Sequence, residues 1–369
     1  MPEYKIHPKT FYVDPDTRLK NMACTVPFKH IEIHISGQIS ACCHTWLPQW
    51  VGNIFNETPE EIIANPKRIE IQEGMKQGNF DYCNDQCPQL TSFLTENKNY
   101  WDIVNKTELE TRLSKTAMHV GFSYDPSCNL QCPSCRDNLI YYDPFDPNDS
   151  RGQHVKQIHE KVKQLIDILL TQHPIVSLDI TGSGDAFASP LYWNYLLELS
   201  SKPVPNNLRL TLKTNGVLMT EQNLKEIEPL WPYITYIEVS VDAFTEETYK
   251  IVRKNGNFKK LKNNLTFLDQ MIYEKRFPNL HNWQTNFIVQ RDNYKELKEF
   301  VEWQLQYKSK PKIWTNLLAQ WYHMSDEKFK GMAVWHEDHV DRSELIDILK
   351  DPVFKNSQLK LGNMSSLIL

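Results

Sequence analysis

Between residues 119 and 318 the sequence alternates two textures. Strand-like runs stand at HVGFSY (119–124), VSLDITG (176–182), LRLTLKTNG (208–216), YIEVSVD (236–242), TNFIVQ (285–290) and KIWTNLL (312–318). Helical stretches fill the gaps at 153–172, 189–201, 221–229, 245–275 and 293–308, the fourth broken near Asn255-Gly256. Strands joined by helical crossovers predict a parallel sheet. Right-handed crossovers wind such a sheet into a Rossmann-like sheet or a full or partial barrel. Either architecture puts function at the C-terminal strand ends. The tail after 320 carries no clear sheet signal. Its His336-Glu337-Asp338-His339 lacks the H-E-x-x-H spacing of a metal helix and reads as a solvated stretch.

The loop after the first of these strands reads CNLQCPSC (128–135), placing three of the chain's 8 cysteines at C-x3-C-x2-C spacing. Asp125, Pro126, Asn129 and Pro133 are turn formers that let the loop fold back until the three sulfurs converge on one metal centre. Thiolates are soft ligands that suit iron–sulfur clusters or zinc. A cubane cluster has four irons, so three thiolates leave one iron open, the logic of a catalytic rather than a closed structural site. The rivals are a zinc site completed by a distant ligand, a redox C-x-x-C at Cys132–Cys135, and three unrelated core cysteines.

A strand followed by C-x3-C-x2-C, opening a series of βα units, resembles the radical S-adenosylmethionine (SAM) enzymes over roughly 117–320. The resemblance implies an α/β fold, a partial (β/α)6 TIM barrel. It implies a 4Fe–4S cluster on Cys128, Cys132 and Cys135, with SAM chelating the open iron. The position before the last cysteine is usually aromatic in the family, and here it is Ser134. Ser183-Gly184-Asp185 loosely matches the family's motif for the SAM amino group, although Asp185 also reads as a helix N-cap. Lys213 or Arg253 is the expected contact to the SAM carboxylate and Ser240 the expected contact to ribose, with Asn215 and Asp242 on the same strand ends. Gln290 is the expected backbone or amide contact to adenine, with Asn293 beside it as contact or cap.

Cys24, Cys42, Cys43, Cys83 and Cys87 precede the barrel. HIEIHI (30–35) alternates and meets the turn residues SGQ, predicting a hairpin. In TPEEIIANP (58–66), Thr58 reads as an N-cap, Pro59 as the first helical residue and Asn65-Pro66 as the stop. A cysteine before a strand, G-x-I-x-x-C at the hairpin, Gly52-Asn53-Ile54 and a terminal C-x3-C resemble the twitch or SPASM-type auxiliary-cluster module of radical SAM enzymes. That module usually follows the barrel, and here it precedes it. The matched positions imply a second 4Fe–4S cluster on Cys24, Cys42, Cys83 and Cys87. Adjacent strand residues point to opposite faces, so only one of Cys42 and Cys43 is expected to ligate, and spacing from Gly37 favours Cys42. Cys43 is then a small buried hydrophobe or a hydrogen-atom donor to a substrate radical, the former favoured. His44 lies beside this loop, within reach of a sulfur. Four thiols on a hairpin also suit a structural zinc ribbon.

The expected organisation is an irregular arm (1–20) within an auxiliary module at 1–110, a barrel at 111–320 and a C-terminal extension at 321–369. A net charge of −5 argues against a general nucleic-acid binder. No apolar run reaches membrane-span length, and the start of the chain shows no signal peptide, so a cytoplasmic enzyme without a membrane is expected. In a reducing compartment clustered cysteines serve as metal ligands or catalytic groups rather than disulfides. The resemblance implies reductive cleavage of SAM, hydrogen abstraction from a substrate, and a reductant such as flavodoxin or ferredoxin. The leading substrate is a ribosomally made peptide. A sugar, nucleotide or other small molecule is the alternative. The first 100 residues show no winged-helix leader-binding domain, which favours a separate precursor-recognition protein or a small-molecule substrate. A zinc-stabilised α/β binding protein and a SAM-independent electron carrier are readings from other classes.

Overall fold

The computed structural model describes residues 19–84, 87, 89–90, 93–94, 102–320 and 324–367, so most of the expected arm lies outside it. Its strands are β1 (Met22–Cys24), β2 (His30–His34), β3 (Gln38–Ser40), β4 (Trp50–Asn53), β5 (Ile103–Asn105), β6 (Met118–Ser123), β7 (Val176–Ile180), β8 (Leu208–Thr214), β9 (Ile234–Ser240), β10 (Asn282–Val289), β11 (Lys312–Leu317) and β12 (Leu359–Lys360). Strands β6 to β11 lie side by side in chain order, each parallel to the next. This sequential winding is the partial (β/α)6 barrel.

The sequence explains each crossover helix locally. Ser150–Gln172 starts where the Asp149 side chain accepts from the backbone of Arg151 and Gly152, and it buries Val155, Ile158, Val162, Leu165 and Leu169 at helical spacing. The long stretch expected at 245–275 breaks into Glu246–Val252 and Phe258–Tyr273. Asn255 takes a left-handed φ of 69° there, and Asn257 caps the second piece through Lys260 N. The first cap near residue 58 also forms, with reciprocal Thr58 and Glu61 bonds. Asn65-Pro66 does more than stop that turn: Asn65 caps, and Pro66 opens, a further helix, Pro66–Gln77. The same residue types serve stop and start, so sequence pattern alone did not separate them. The tail also holds a strand, β12, parallel to β11; at two residues it is too short to show a period.

The cysteine-rich segment is continuous with the barrel sheet. Strand β2 pairs in parallel with β6, in the register His30↔His119, Glu32↔Gly121 and His34↔Ser123. Its other edge carries the antiparallel β3, and β3 carries β4. The result, among the described residues, is one ten-stranded sheet. Its helix-facing side is apolar: Ile31, Ile33, Val120, Phe122, Leu178, Leu210, Leu212, Ile237, Val239 and Phe287 join one buried core. Each such side chain contributes about 1.5–3 kcal/mol by burial. The other side, built from the alternate positions, carries Glu32, Asp179, Lys213, Glu238 and Asn286.

Candidate active site

The loop leaving β6 is pinned from several directions. Asp125 is buried; it accepts from Ser127 N (2.9 Å) and Oγ (2.6 Å) and from Ser189 Oγ (2.5 Å), while its own N–H donates to Tyr192 Oη (2.8 Å). Asp185 N donates to Ser127 O, Cys128 N to Ile140 O, and Gln131 N to Lys254 O, each at 3.0 Å. Cys132 O closes a turn with the N–H groups of Cys135 and Arg136. The three thiols are thereby gathered in one loop at the C-terminal end of the sheet, near enough for Arg136 to feel the charge of all three.

Each thiol meets a nitrogen donor. Asn215 Nδ2 stands 3.6 Å from Cys128 Sγ, Arg253 Nη1 3.5 Å from Cys132 Sγ, and Arg136 Nη2 3.6 Å from Cys135 Sγ. Cys128 and Cys132 are buried and Cys135 is exposed. Burial pushes the Cys128 thiol up to about 12, with Asp185 adding to it. Burial also raises Cys132, against the pull of Arg253. Metal binding at Cys128 and Cys132 therefore releases their protons.

The neighbouring strand ends bring the other predicted residues to this loop. Ser183 Oγ donates to Asp125 O (3.2 Å). Gly184 packs so closely that a Cβ would stand 2.5 Å from Asp125 O and 2.6 Å from Ser127 O, which is why the position takes glycine. Asp185 is buried, and its carboxylate is occupied by four donors: Thr214 Oγ1 (2.8 Å), Asn215 N (2.7 Å), Phe187 N (3.0 Å) and Ala188 N (3.1 Å). It braces two strand ends besides capping the turn. Asp242, at a left-handed φ of 61°, accepts from Ile288 N and forms an ion pair with Arg253 at 2.6 Å. Arg253 thus has two partners, Asp242 and Cys132. Gln290 is buried, and its Nε2 has no partner among the described residues. Ser240 lies at the end of β9, opposite Asn286 of β10.

A second sulfur group forms at the auxiliary segment. The Cys42 thiol feels the charges of Cys24, Cys87 and Cys83, and Cys24 feels those of Cys83 and Cys87. Burial raises Cys24, Cys42 and Cys87 alike. Cys43 shares that upward shift but differs in exposure. It is exposed, in contrast to the buried hydrophobe expected from its residue type, because it opens onto the polar side of the sheet. There its thiol is flanked by Glu32 and Lys213; the protein around its remaining sides, with Glu32, pushes it up to about 11. His44 stacks on Trp50 with ring centroids 3.6 Å apart. His336 and His339 lie in a turn region between the helices Asp326–Met332 and Arg342–Ile348.

The polar side of the sheet was not recognised from sequence as a site. Glu32 accepts from Ser123 Oγ at 2.5 Å and lies 3.8 Å from His30 Nε2. Asp179 lies 3.4 Å from His119 Nδ1. A chain of bonds runs from Tyr236 Oη to Gln284, on to Asn286, and then to Glu238. Lys213 feels Glu238, Asp179 and Glu32 and is held well charged by them, against the cost of burial. Lys213 and Arg253, expected at a SAM carboxylate, therefore both have acidic neighbours of their own. Barrel interiors are ordinarily layers of Val, Ile and Leu. The alternation His-Ile-Glu-Ile-His of β2 was the available signal for this polar lining. Arg136 was likewise missed; its signal was adjacency to Cys135.

Residues 123–303 match the radical SAM superfamily, and residues 24–88 match SPASM, an iron-sulfur cluster-binding domain. This chain belongs to the radical SAM superfamily. An uncharacterized protein of Methanocaldococcus jannaschii is 21% identical over 190 residues, 52% of this chain and 57% of that relative. The radical SAM chain thus spans little more than half the length of the curated relative it matches. Among solved structures it is similar to anSMEcpe with bound AdoMet and a peptide (15% identity, 54% of this chain, 50% of that one, TM-score 0.37). It is also similar to the radical SAM methyltransferase TsrM from Kitasatospora setae, solved with tryptophan and a SAM analogue (10% identity, 56% of this chain, 37% of that one, TM-score 0.38).

A radical SAM domain implies a 4Fe–4S cluster and SAM, and a SPASM domain implies additional iron–sulfur clusters. The residues present fit both. The donor set is all thiol, three on one pinned loop and four in a second group, and soft sulfur ligands suit iron–sulfur centres. Among the described residues no three His, Cys, Asp or Glu side chains are arranged to hold a single metal ion. Among them, too, no helix is long and apolar enough to cross a membrane.

Proposed function

We propose that this protein is a radical SAM enzyme that abstracts a hydrogen atom from a ribosomally made peptide, with an auxiliary iron–sulfur module at 1–110, the catalytic barrel at 111–320 and a C-terminal extension at 321–369. The observation that carries the reading is the gathering of Cys128, Cys132 and Cys135 in one pinned loop at the C-terminal end of a parallel sheet. When bound, the cluster and SAM supply a 5′-deoxyadenosyl radical, generated by one electron from a reductant such as flavodoxin or ferredoxin.

The chain's own residues bind, orient and shield. Cys128, Cys132 and Cys135 hold the cluster, and Cys24, Cys42, Cys83 and Cys87 hold the auxiliary one. Ser183 and Gly184 offer backbone to the SAM amino group, with Asp185 keeping that turn and Asn215 in place. Ser240 and Asp242 line the ribose side. Gln290, whose Nε2 has no partner among the described residues, meets adenine. Cys43 is the candidate group that returns a hydrogen atom to the substrate; its raised thiol keeps the S–H that such a transfer needs.

Family members with auxiliary modules of this kind most often modify ribosomally made peptides, which supports the peptide reading. A second reading, a hydroxyl-rich small molecule such as a sugar or nucleotide, is favoured by the polar lining around Glu32, Asp179 and Glu238. Anaerobically reconstituted protein is to be incubated with SAM and reductant, and 5′-deoxyadenosine measured with candidate peptides and with a panel of sugars and nucleotides. Stimulation by a peptide, with a mass change in it, supports the first reading. Stimulation by a small molecule alone replaces it with the second. Protein that takes up zinc and forms no 5′-deoxyadenosine overturns both.

A further inference from the structure

The three donors to the cluster thiols come from three different parts of the chain. Asn215 follows β8, Arg253 follows the helix Glu246–Val252, and Arg136 directly follows Cys135. None is a loose surface group. Arg253 is 12% exposed at its side chain and is anchored by Asp242 at 2.6 Å. Arg136 is buried and bonds to Pro126 O (2.6 Å) and Ser183 O (3.0 Å). Asn215 is buried and bonds to Asn129 Oδ1 (2.8 Å). Their separation in sequence, and the fact that each reaches a different sulfur, make this a built arrangement.

We propose that Arg253 and Arg136, with Asn215, set the reduction potential of the cluster held by Cys128, Cys132 and Cys135; this rests on the reading that these thiols hold a 4Fe–4S cluster. Reduction adds one electron, and its charge spreads onto the sulfurs. Nitrogen donors and nearby positive charge stabilise the reduced state more than the oxidised one, which raises the potential. Burial strengthens the effect by keeping water from screening it. Asp242 offsets part of the Arg253 charge, so the direct N–H···S contact matters as well as the charge. Arg253 is thereby a positioning residue for cluster electronics, a task distinct from binding the SAM carboxylate.

The test is a redox titration of full-length, anaerobically reconstituted protein. The paramagnetic signal of the reduced cluster is followed, and the signal that responds to added SAM identifies the cluster concerned. Wild type is compared with Arg253→Lys, Arg136→Lys and the charge-matched double variant Arg253→Gln/Asp242→Asn, which leaves no buried carboxylate unpaired. At a fixed poise the double variant should show about a tenfold lower reduced-to-oxidised ratio at unchanged iron content, equivalent to about 59 mV for a one-electron couple. The two Lys variants, which keep the charge and lose the fork, should shift in the same direction by less. If the double variant fails to load iron, the two Lys variants decide. Wild-type potential in every variant that loads iron overturns the proposal, and lost SAM affinity at unchanged potential would instead give Arg253 the carboxylate role. A wild-type protein without a SAM-responsive cluster fails the underlying reading, and the proposal falls with it.

Discussion

Ser123 donates a 2.5 Å hydrogen bond to Glu32, joining residues 91 positions apart across the β2–β6 pair. One belongs to the first barrel strand and the other to the auxiliary hairpin. Through this pair the hairpin contributes a carboxylate to the same polar surface as Asp179, Lys213 and Glu238 of the barrel. Cys43, ten residues or so further on, opens onto that surface as well. The auxiliary segment therefore has two roles in the fold: it gathers thiols, and it completes the lining beside the cluster loop.

Glu32 should make the fold sensitive to acid. Burial opposes its charge, but the bond to His30, the fields of His34 and His30 and the Ser123 hydroxyl outweigh that cost and hold the carboxyl at about 2. A carboxyl depressed from its ordinary 4.5 contributes stability above that value and loses it as pH falls toward 2. The contribution is at most about 3 kcal/mol. Glu32→Gln should lower unfolding stability by roughly 1–3 kcal/mol at pH 6, and the difference from wild type should vanish near pH 2. Urea melts across that range check it; a constant difference would show that Glu32 acts by packing instead.

The two sulfur groups should separate chemically. Cys128→Ala should abolish 5′-deoxyadenosine formation and lower iron from about eight per chain to about four, the loading of one cubane cluster. Cys83→Ala should lose a similar amount of iron and still form 5′-deoxyadenosine, while product disappears. Iron analysis with chromatography of the reaction mixture gives both readouts. Loss of 5′-deoxyadenosine in both variants would mean that the auxiliary group serves SAM cleavage itself.

The strands were legible because each carries a local pattern: β6 to β11 form within a few residues of the runs read from sequence. The break at Asn255-Gly256 was legible for the same reason, since a left-handed residue and a cap leave compositional marks. The parallel pairing of β2 with β6 was not, because HIEIHI and SGQ specify a hairpin locally and say nothing about a partner some 90 residues away. Arg253 was read as a contact to the SAM carboxylate from the helix after the fourth strand. Asp242 claims it at 2.6 Å, a pairing set by the turn after β9 rather than by any spacing. The polar lining escaped for a further reason. Its members are single alternate residues on separate strands, and only the assembled sheet brings them together.

Gly184→Ala should damage the cluster loop more than the general fold. The added methyl would overlap backbone oxygens of Asp125 and Ser127, which have no free rotamer to escape through. Overpacking of this kind costs about 1–3 kcal/mol. Iron loading at the loop should fall and SAM binding weaken at least tenfold. Gly331→Ala, in the helix Asp326–Met332 with nothing within 4 Å of the new methyl, is the control. It should leave SAM binding unchanged and stabilise by up to about 1 kcal/mol through helix propensity. Calorimetric titration and thermal melts distinguish the two.

Cys43 should mark the product. A protonated thiol exchanges its hydrogen with solvent, so in deuterium oxide a hydrogen atom returned from Cys43 arrives as deuterium. The protein packed around its remaining sides and Glu32 keep that thiol protonated at neutral pH, with its value pushed up to about 11. Cys43→Ala should keep the iron content and 5′-deoxyadenosine formation of wild type and lose the single deuterium from the product. Cys43→Ser should do the same, since an O–H bond is too strong to yield its hydrogen to a carbon radical. Mass spectrometry of the product decides. Undiminished deuterium in Cys43→Ala would assign the return of hydrogen to another group, and iron loss in that variant would move Cys43 into the auxiliary ligand set in place of Cys42.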